Sequence, residues 1–401
     1  MKVLTADRFF DGVSDSLSND VALVVEGDQV LDVVAASEAL EKYPGADATH
    51  FPGCTIVPGL VNCHSHLVMP GDGTKIEEAM EVGDDELLTR AASNARRALE
   101  NGVTTLADLG GRNDVTFSLR DAIERGEMLG PRLVLAGRPI TSVKGHCWPF
   151  NGEVSDLEAL EREIDALLSR GADLIKIMGN GGGTRGTDPF TPQFDDEMMS
   201  FAARKAHEAG KPAFVHCSCT SVVRQAVDAG FDVIVHGNLN KTREELDFDE
   251  DLVKRAADLG AVWNPTLEVT RSGIRTLESE GADEETIRSR RDAYRRRLEE
   301  VARVRSLGAG MIAGSDEGWS GNAFGNFHRE LEALAEIGMD NLEVLKAATS
   351  ATAAALRVDD SVGSLAPGKK ADVLVVGGNP AEDLDVMGDL RAIYRGGNRV
   401  D

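Results

Sequence analysis

Residues 212–238 read PAFVHCSCTSVVRQAVDAGFDVIVHGN and contain the pattern that decides the fold. The apolar runs AFVHC and VIVH have the length of strands, and the amphipathic stretch TSVVRQAVDAG lies between them. Two strands joined by one helix pair in parallel through a right-handed crossover. His216 and His236 stand at the ends of these runs, so both imidazoles are expected at the carboxyl edge of a parallel sheet.

The same unit recurs along the middle of the chain. Between residues 59 and 356, eight apolar runs alternate with helical stretches: LVNCHSH, VTTLADLGG, RLVLAGRPI, LIKIMGN, AFVHCSC, VIVHGN, AVWNPT and MIAGSD. Eight such units predict a TIM (β/α)8 barrel for residues 59–356. Residues 1–58 and 357–401 contain short β-type runs instead, and we predict that both chain ends form one small β-sandwich domain.

Composition excludes several classes of partner. The chain has 401 residues, of which 42% are hydrophobic and 28% charged, and its net charge is -25. Such a charge repels nucleic-acid phosphates and anionic lipids, so neither nucleic acid nor a membrane is expected as a partner. The sequence shows no membrane-spanning stretch and no secretory signal, and its five cysteines fit a reducing compartment. We therefore expect a cytoplasmic protein.

Polar side chains stand at the ends of five of the eight runs. His64 and His66 are two residues apart, so both rings point to the same side of a strand. Lys176 lies within an apolar run, where an ammonium needs a partner or a modification. The carboxyl ends of barrel strands form the active sites of TIM-barrel enzymes. The residues expected to meet there are His64, His66, Lys176, His216, His236 and Asp316.

These motifs resemble the metal-dependent amidohydrolase superfamily, in its imidazolonepropionase-like and prolidase-like branch. The resemblance covers nearly the whole chain and includes PGLVNCHSH, DLIKIMGNGG, KPAFVHC, VIVHGN, GSDEG and GSLAPGKKADVLVV. It implies two divalent metal ions, expected to be zinc. By this resemblance His64, His66 and Asp316 hold the first ion, His216 and His236 hold the second, and a carboxylated Lys176 bridges both.

A pair of divalent ions that share a water lowers its pKa from 15.7 towards roughly 7, which supplies hydroxide at neutral pH. Asp316 is expected to take the proton of this water and return it to the leaving amine. His146, in SVKGHCWPF, resembles a family histidine that stabilises the oxyanion. Many relatives have two glycines before that histidine, whereas Lys144 and Gly145 precede it here. Asp316 and His146 are thus the predicted catalytic residues.

The predicted reaction is hydrolysis of an amide-type bond in an N-acyl amino acid, a dipeptide or a related amide, carbamate or urea. Trp148 and Trp319 fall in loops that should rim the barrel mouth, which favours a substrate with an apolar or aromatic group. Arg185 and Arg271 follow strands four and seven, where a guanidinium could hold a substrate carboxylate. Where relatives often have a tyrosine after strand four, this chain has Phe194.

Three alternatives remain open at this point: a mononuclear deaminase of a cyclic base, a lactone or ester hydrolase, and a barrel that binds without catalysis. A deaminase is expected to carry a glutamate three residues after the strand-five histidine, whereas this chain reads HCSCTS. A non-catalytic protein would be expected to have lost a metal ligand, and none is missing. The substrate is expected to be a small molecule and the protein a homo-oligomer.

Overall fold

The computed structural model describes residues 1–243 and 245–400. Strands come first and last along the chain and alternate with helices between. In chain order the strands are β1 (Lys2–Phe9), β2 (Val21–Glu26), β3 (Gln29–Ala35), β4 (Asp47–Pro58), β5 (Leu60–Ser65), β6 (Val103–Asp108), β7 (Arg132–Leu135), β8 (Thr141–Ser142), β9 (Glu153–Val154), β10 (Ile175–Met178), β11 (Ala213–Cys217), β12 (Val233–His236), β13 (Val262–Asn264), β14 (Gly310–Met311), β15 (Val373–Gly377), β16 (Leu390–Arg395) and β17 (Asn398–Arg399).

The helices cover the parallel strands. Most have acidic residues in the first turn, where a negative charge interacts favourably with the positive end of the helix dipole. The helices are α1 (Ala36–Lys42), α2 (Ile76–Ala79), α3 (Asp84–Glu100), α4 (Val115–Glu124), α5 (Leu157–Arg170), α6 (Asp196–Glu208), α7 (Thr220–Ala229), α8 (Glu250–Asp258), α9 (Leu267–Ser279), α10 (Glu284–Ser306), α11 (His328–Glu336), α12 (Asn341–Ala347) and α13 (Ser350–Ala355), with short 3-10 helices at Trp148–Phe150 and Leu384–Gly388.

The eight predicted strands are all present as two parallel sheets. Strands β5, β6 and β7 form one sheet, and β10 to β14 form the other in sequence order. Isolated parallel bridges join the two sheets on both sides, from Ile140 to Ile177 and from Ser65 to Glu317. The carboxyl ends of β5, β10, β11 and β12 therefore face one region, because all these strands run the same way.

The two chain ends meet in one sheet. Its seven strands have the order β17-β16-β15-β4-β1-β2-β3, so the C-terminal β15 pairs antiparallel with β4. One apolar cluster contains Leu4, Leu23, Ile56 and Val373, and a second contains Val3, Val24 and Ala39 of α1. Both chain ends thus form a single hydrogen-bonded sheet, where two packed sheets were predicted. It has an apolar cluster on each face, because neighbouring side chains on a strand point to opposite faces.

The core lies between the parallel strands and the helices. In α3 the buried residues Leu87, Ala91, Ala95 and Ala98 recur every three or four positions, which places them on one face of the helix. No helix in the described part of the chain is long and apolar enough to cross a membrane. All five cysteines are buried and free.

Candidate metal centre

The six residues expected to meet at the strand ends do so. They line a cavity of about 220 Å³ at the carboxyl edge of the parallel strands. β5, β10, β11 and β12 supply one ligand candidate each, and His66 and Asp316 come from the segments after β5 and β14. The lining includes His64, His66, His146, Lys176, His216, His236, Asp316 and Trp319.

His64, His66 and Asp316 form a compact triangle of ligand atoms. The Nε2 atoms of the two histidines are 3.3 Å apart, and they lie 3.3 and 3.4 Å from Oδ1 of Asp316. Ligand atoms of a tetrahedral zinc ion, each about 2.0–2.1 Å from the metal, are roughly 3.3–3.4 Å from one another. In the described residues this is the one group of three His, Cys, Asp or Glu whose ligand atoms all lie within 4.8 Å of one another.

Hydrogen bonds on the opposite ring nitrogens fix the tautomers of both histidines. Nδ1 of His64 lies 3.1 Å from Oδ1 of Asn264, whose amide nitrogen donates to the carbonyl of Gly314. Nδ1 of His66 lies 3.1 Å from the carbonyl oxygen of Gly110. Both Nδ1 atoms must therefore carry the proton, which leaves an unshared electron pair on each Nε2. Metal-binding histidines show this arrangement.

His236 and His216 are oriented in the same way. Nδ1 of His236 lies 2.6 Å from the Thr266 hydroxyl, which itself donates to the carbonyl of Pro265 and so accepts from the ring. Nε2 of His216 lies 3.2 Å from the carbonyl of Gly181, so its Nδ1 is left free to bind a metal. The two ring centroids are 4.6 Å apart, which makes them neighbours in the cavity.

Two ligand candidates have unusual backbone conformations. His236 has φ 61° and Asp316 has φ 57°, both in the left-handed region that non-glycine residues rarely adopt. Such a conformation costs roughly 1–2 kcal/mol and tends to occur at functional sites.

Burial disfavours the protonated form of four side chains at the site. It lowers the pKa of His64, His216 and His236 well below the usual value, and it lowers the pKa of Lys176 to about 8. For Asp316, burial alone would raise the pKa, but the nearby His66, His236 and Lys176 hold it below its usual value. At neutral pH His64, His216 and His236 are therefore neutral and Asp316 is ionised, the forms that bind metal.

Two buried polar atoms at the site have no hydrogen-bond partner, Nζ of Lys176 and Oδ1 of Asp316. Lys176 is 1% exposed and lies on β10 with its side chain in the cavity. Leaving such groups unsatisfied is costly in a protein interior, so each needs a further partner. A cation at the triangle satisfies Asp316, and the residues present therefore fit a divalent metal.

His146 also lies in the cavity. Its Nδ1 is 2.9 Å from the Thr184 hydroxyl, and its ring centroid is 4.7 Å from that of His216. Gly182 makes room for this ring, because a Cβ at that position would lie 2.5 Å from Nε2 of His146. Gly182 thus provides space for the His146 ring beside the site.

The predicted substrate contacts are only partly at the cavity. Trp319 lines it, with its ring 5.7 Å from that of His66. The other three predicted positions lie outside its lining. The guanidinium of Arg271 forms ion pairs with Glu268, Glu332 and Glu336. Arg185 forms an ion pair with Glu78. The ammonium of Lys144 lies over the ring of Trp148, 3.7 Å from its centroid, and none of these three predicted contacts lines the cavity.

Sequence reasoning missed the residues that orient the rings. Asn264 ends β13 and Thr266 follows it, so the polar end of the run AVWNPT was an available signal. Thr184, in the glycine-rich segment after β10, gave no signal, because its partner is 38 residues away. Ser218 and Asn238, which line the cavity beside His216 and His236, were also missed.

The sequence profile of the amidohydrolase family matches residues 55–400. The chain belongs to the amidohydrolase family. The match covers most of the chain, including every strand that bears a ligand candidate. The predicted superfamily is thereby confirmed, as is the predicted class of enzyme, a hydrolase of carbon–nitrogen bonds.

Individual relatives of this amidohydrolase are distant. Ochratoxinase from Aspergillus niger is 24% identical over 433 residues, which span 98% of this chain and 85% of that protein. An imidazolonepropionase from Paenarthrobacter aurescens is 26% identical over 226 residues, covering 55% of this chain and 49% of the relative. The crystal structure of a Xaa-Pro dipeptidase with bound methionine superimposes with TM-score 0.86 at 24% identity, over 100% of this chain and 99% of that one, which establishes a shared fold.

Proposed function

We propose that this amidohydrolase is a binuclear metal-dependent hydrolase of an amide-type carbon–nitrogen bond, with the ions held at the ends of a closed eight-stranded barrel. The observation that carries this proposal is the set of four oriented imidazoles around the unpartnered Lys176 amine and Asp316. Bridges on both sides of the two parallel sheets support barrel closure. Zinc is the expected metal, since imidazole and carboxylate ligands suit it.

Ligand number supports a carboxylated Lys176. His64, His66 and Asp316 offer three ligand atoms to one ion, whereas His216 and His236 offer only two to another. Protein zinc sites commonly have three or four protein ligands. Reaction of the Lys176 amine with carbon dioxide would provide carboxylate oxygens to both ions and remove a buried amine that lacks a partner.

When bound, the ions supply a water of lowered pKa and polarise the substrate carbonyl. Oδ1 of Asp316 is the ligand atom of the triangle, so the other oxygen of this carboxylate would accept a proton from the attacking water and deliver it to the leaving nitrogen. The Thr184 hydroxyl accepts from the backbone N–H of Cys147 and can donate to Nδ1 of His146. Nε2 of His146 then carries a proton and can donate to the carbonyl oxygen as charge develops on it.

The proposed substrate is an N-acyl amino acid, a dipeptide or a related amide, carbamate or urea with an apolar or aromatic group. Trp319 in the cavity wall supports an apolar group, and Phe150 stacks behind His66 at a centroid distance of 6.0 Å. Relatives named ochratoxinase and Xaa-Pro dipeptidase agree with an amide-type bond.

The test combines metal content per chain with an activity screen over N-acyl amino acids, dipeptides, aryl carbamates, aryl ureas and lactones. We expect two metal ions per chain and hydrolysis of an amide-type bond. One ion per chain with ammonia release from a cyclic base would overturn the proposal in favour of a deaminase. Hydrolysis of lactones alone would favour an ester hydrolase.

Substitution of the bridging residue tests the binuclear centre. Lys176→Ala should lower kcat by at least about 10³-fold, with partial recovery on addition of short carboxylic acids that can replace the lost carbamate. Lys254→Ala, which removes an ammonium that is 51% exposed on α8, is the matched control and should keep wild-type activity and metal content. Full activity of Lys176→Ala would refute the bridge.

A further inference from the structure

A second and larger cavity adjoins the metal centre. Its volume is about 560 Å³, and it lies between the segment after β12, the start of α9 and the side of α10. His236, Asn238 and Val269 line both cavities, so these residues form a wall that the two cavities share. The size of this cavity suits a substantial part of an organic molecule whose remainder reaches the metals.

The charge of this cavity differs from that of the whole protein. The lining contains four arginines, Arg243, Arg296, Arg297 and Arg303, but two carboxylates, Glu299 and Glu300. The chain as a whole carries a net charge of -25, so the excess of arginines over carboxylates in this cavity is opposite in sign to the charge of the chain. Such a recess attracts anions from solution.

The arginines are not equivalent. Arg297 is bound to Glu300 at 2.8 Å and donates to the backbone carbonyl of His236, and Arg303 is bound to Glu250. Within the described residues, the side chains of Arg243 and Arg296 make no ion pair or hydrogen bond, and of these two it is Arg296 that lines the cavity from α10 with an exposed side chain. Its guanidinium has five N–H donors available for a bidentate contact with a carboxylate.

Apolar groups complete the wall. Leu246, Phe248, Pro265 and Ala293 line the same cavity, and the guanidinium of Arg303 lies 4.0 Å above the Phe248 ring. A ligand that fits this lining has an apolar or aromatic body and an anionic end.

We propose that the arginine cavity binds the anionic part of the substrate, with Arg296 as the residue that recognises a carboxylate. This inference rests on the proposed function, since it assigns the substrate class of the same centre: amides that bear a carboxylate on an apolar or aromatic part. The cleaved bond then lies over the metal cavity while the carboxylate contacts α10.

The test compares two amides that differ only in the carboxylate, N-benzoyl-L-phenylalanine and N-(2-phenylethyl)benzamide. The metal-loaded wild type is expected to release benzoate from the acid with kcat/KM about tenfold above that for the neutral amide. Arg296→Gln should remove this preference, and Arg296→Lys should restore part of it. Arg288→Gln, an exposed arginine on the same helix that does not line the cavity, should leave the preference unchanged.

The outcomes separate this inference from the proposed function. Cleavage with no preference for the acid, or a preference that Arg296→Gln leaves intact, overturns the carboxylate site while the hydrolase stands. If neither compound is cleaved, both are stable ligands whose Kd can be measured by calorimetry. About tenfold weaker binding of the acid to Arg296→Gln would then support the site although the proposed reaction fails, and equal binding to both proteins would refute the site as well.

Discussion

Asn264→Ala tests whether the residues behind the metal ligands control metal affinity. Asn264 ends β13, is fully buried and accepts a hydrogen bond from Nδ1 of His64, 200 residues away in sequence. Alanine removes this acceptor. The His64 ring can then rotate or take the other tautomer, which turns its electron pair away from Asp316.

The magnitude follows from the two hydrogen bonds that Asn264 makes. Loss of the contact to His64 should weaken metal binding about 10–100-fold, or roughly 1.4–2.7 kcal/mol. Loss of the 2.9 Å bond to the Gly314 carbonyl should lower the free energy of unfolding of the metal-free protein by about 1–3 kcal/mol. The affinity change is the specific effect, and the stability change accompanies any loss of a buried amide.

Competition with a chelator measures metal affinity directly, and urea unfolding of the metal-free protein measures stability. The control is Asn94→Ala, which also removes a buried amide with two hydrogen bonds, both of them to backbone carbonyls, of Leu67 and Met69, and not to an imidazole. It should lose stability and keep metal affinity. Equal metal affinity in Asn264→Ala and the wild type would show that this bond does not orient His64.

Three further outcomes are expected. Because only the neutral amine of Lys176 reacts with carbon dioxide and burial lowers its pKa to about 8, the rate of metal reloading under a fixed partial pressure of carbon dioxide should rise nearly tenfold per pH unit below pH 8 and level off above it. A flat profile from pH 6 to 9 under that fixed pressure, with the carbamate followed by ¹³C NMR, would contradict this. Gly182→Ala should displace His146 and lower kcat by about 10–100-fold at unchanged metal content, and unchanged kcat would argue against a role for that ring. Arg271→Ala should lower the free energy of unfolding by about 2–3 kcal/mol without changing kcat/KM. Arg185→Ala removes an ion pair whose side chains are 62% and 51% exposed, so it should change the free energy of unfolding by less than about 1 kcal/mol. A loss of kcat/KM in either variant would support that arginine as a substrate contact.

Much of the fold could be predicted because strand and helix periodicity are local properties of the sequence. The eight apolar runs are strands in the structure, and the polar residues at five strand ends meet in one cavity. Lys176 was recognisable because an ammonium in an apolar run needs a partner. Because the carboxyl ends of parallel strands lie at one edge of a sheet, residues distant in sequence could be predicted to meet there.

What escaped prediction depends on contacts distant in sequence. Arg271 resembled a substrate-binding residue because its position after β13 was visible, whereas its carboxylate partners Glu332 and Glu336 are 61 and 65 residues away. Asn264 and Thr266 orient two imidazoles through loops whose course no periodicity reveals. The arginine cavity was also hidden, because its lining comes from the segment after β12 and from α9 and α10, which are far apart in sequence.

The mixed origin of the terminal sheet has a consequence for biosynthesis. β4 pairs with β1 early in translation, but its other edge stays open until β15 emerges more than 300 residues later. An open edge beside an apolar cluster is prone to intermolecular pairing. A nascent or truncated chain that lacks β15 therefore exposes an aggregation-prone edge of β4, which pairing with β15 covers.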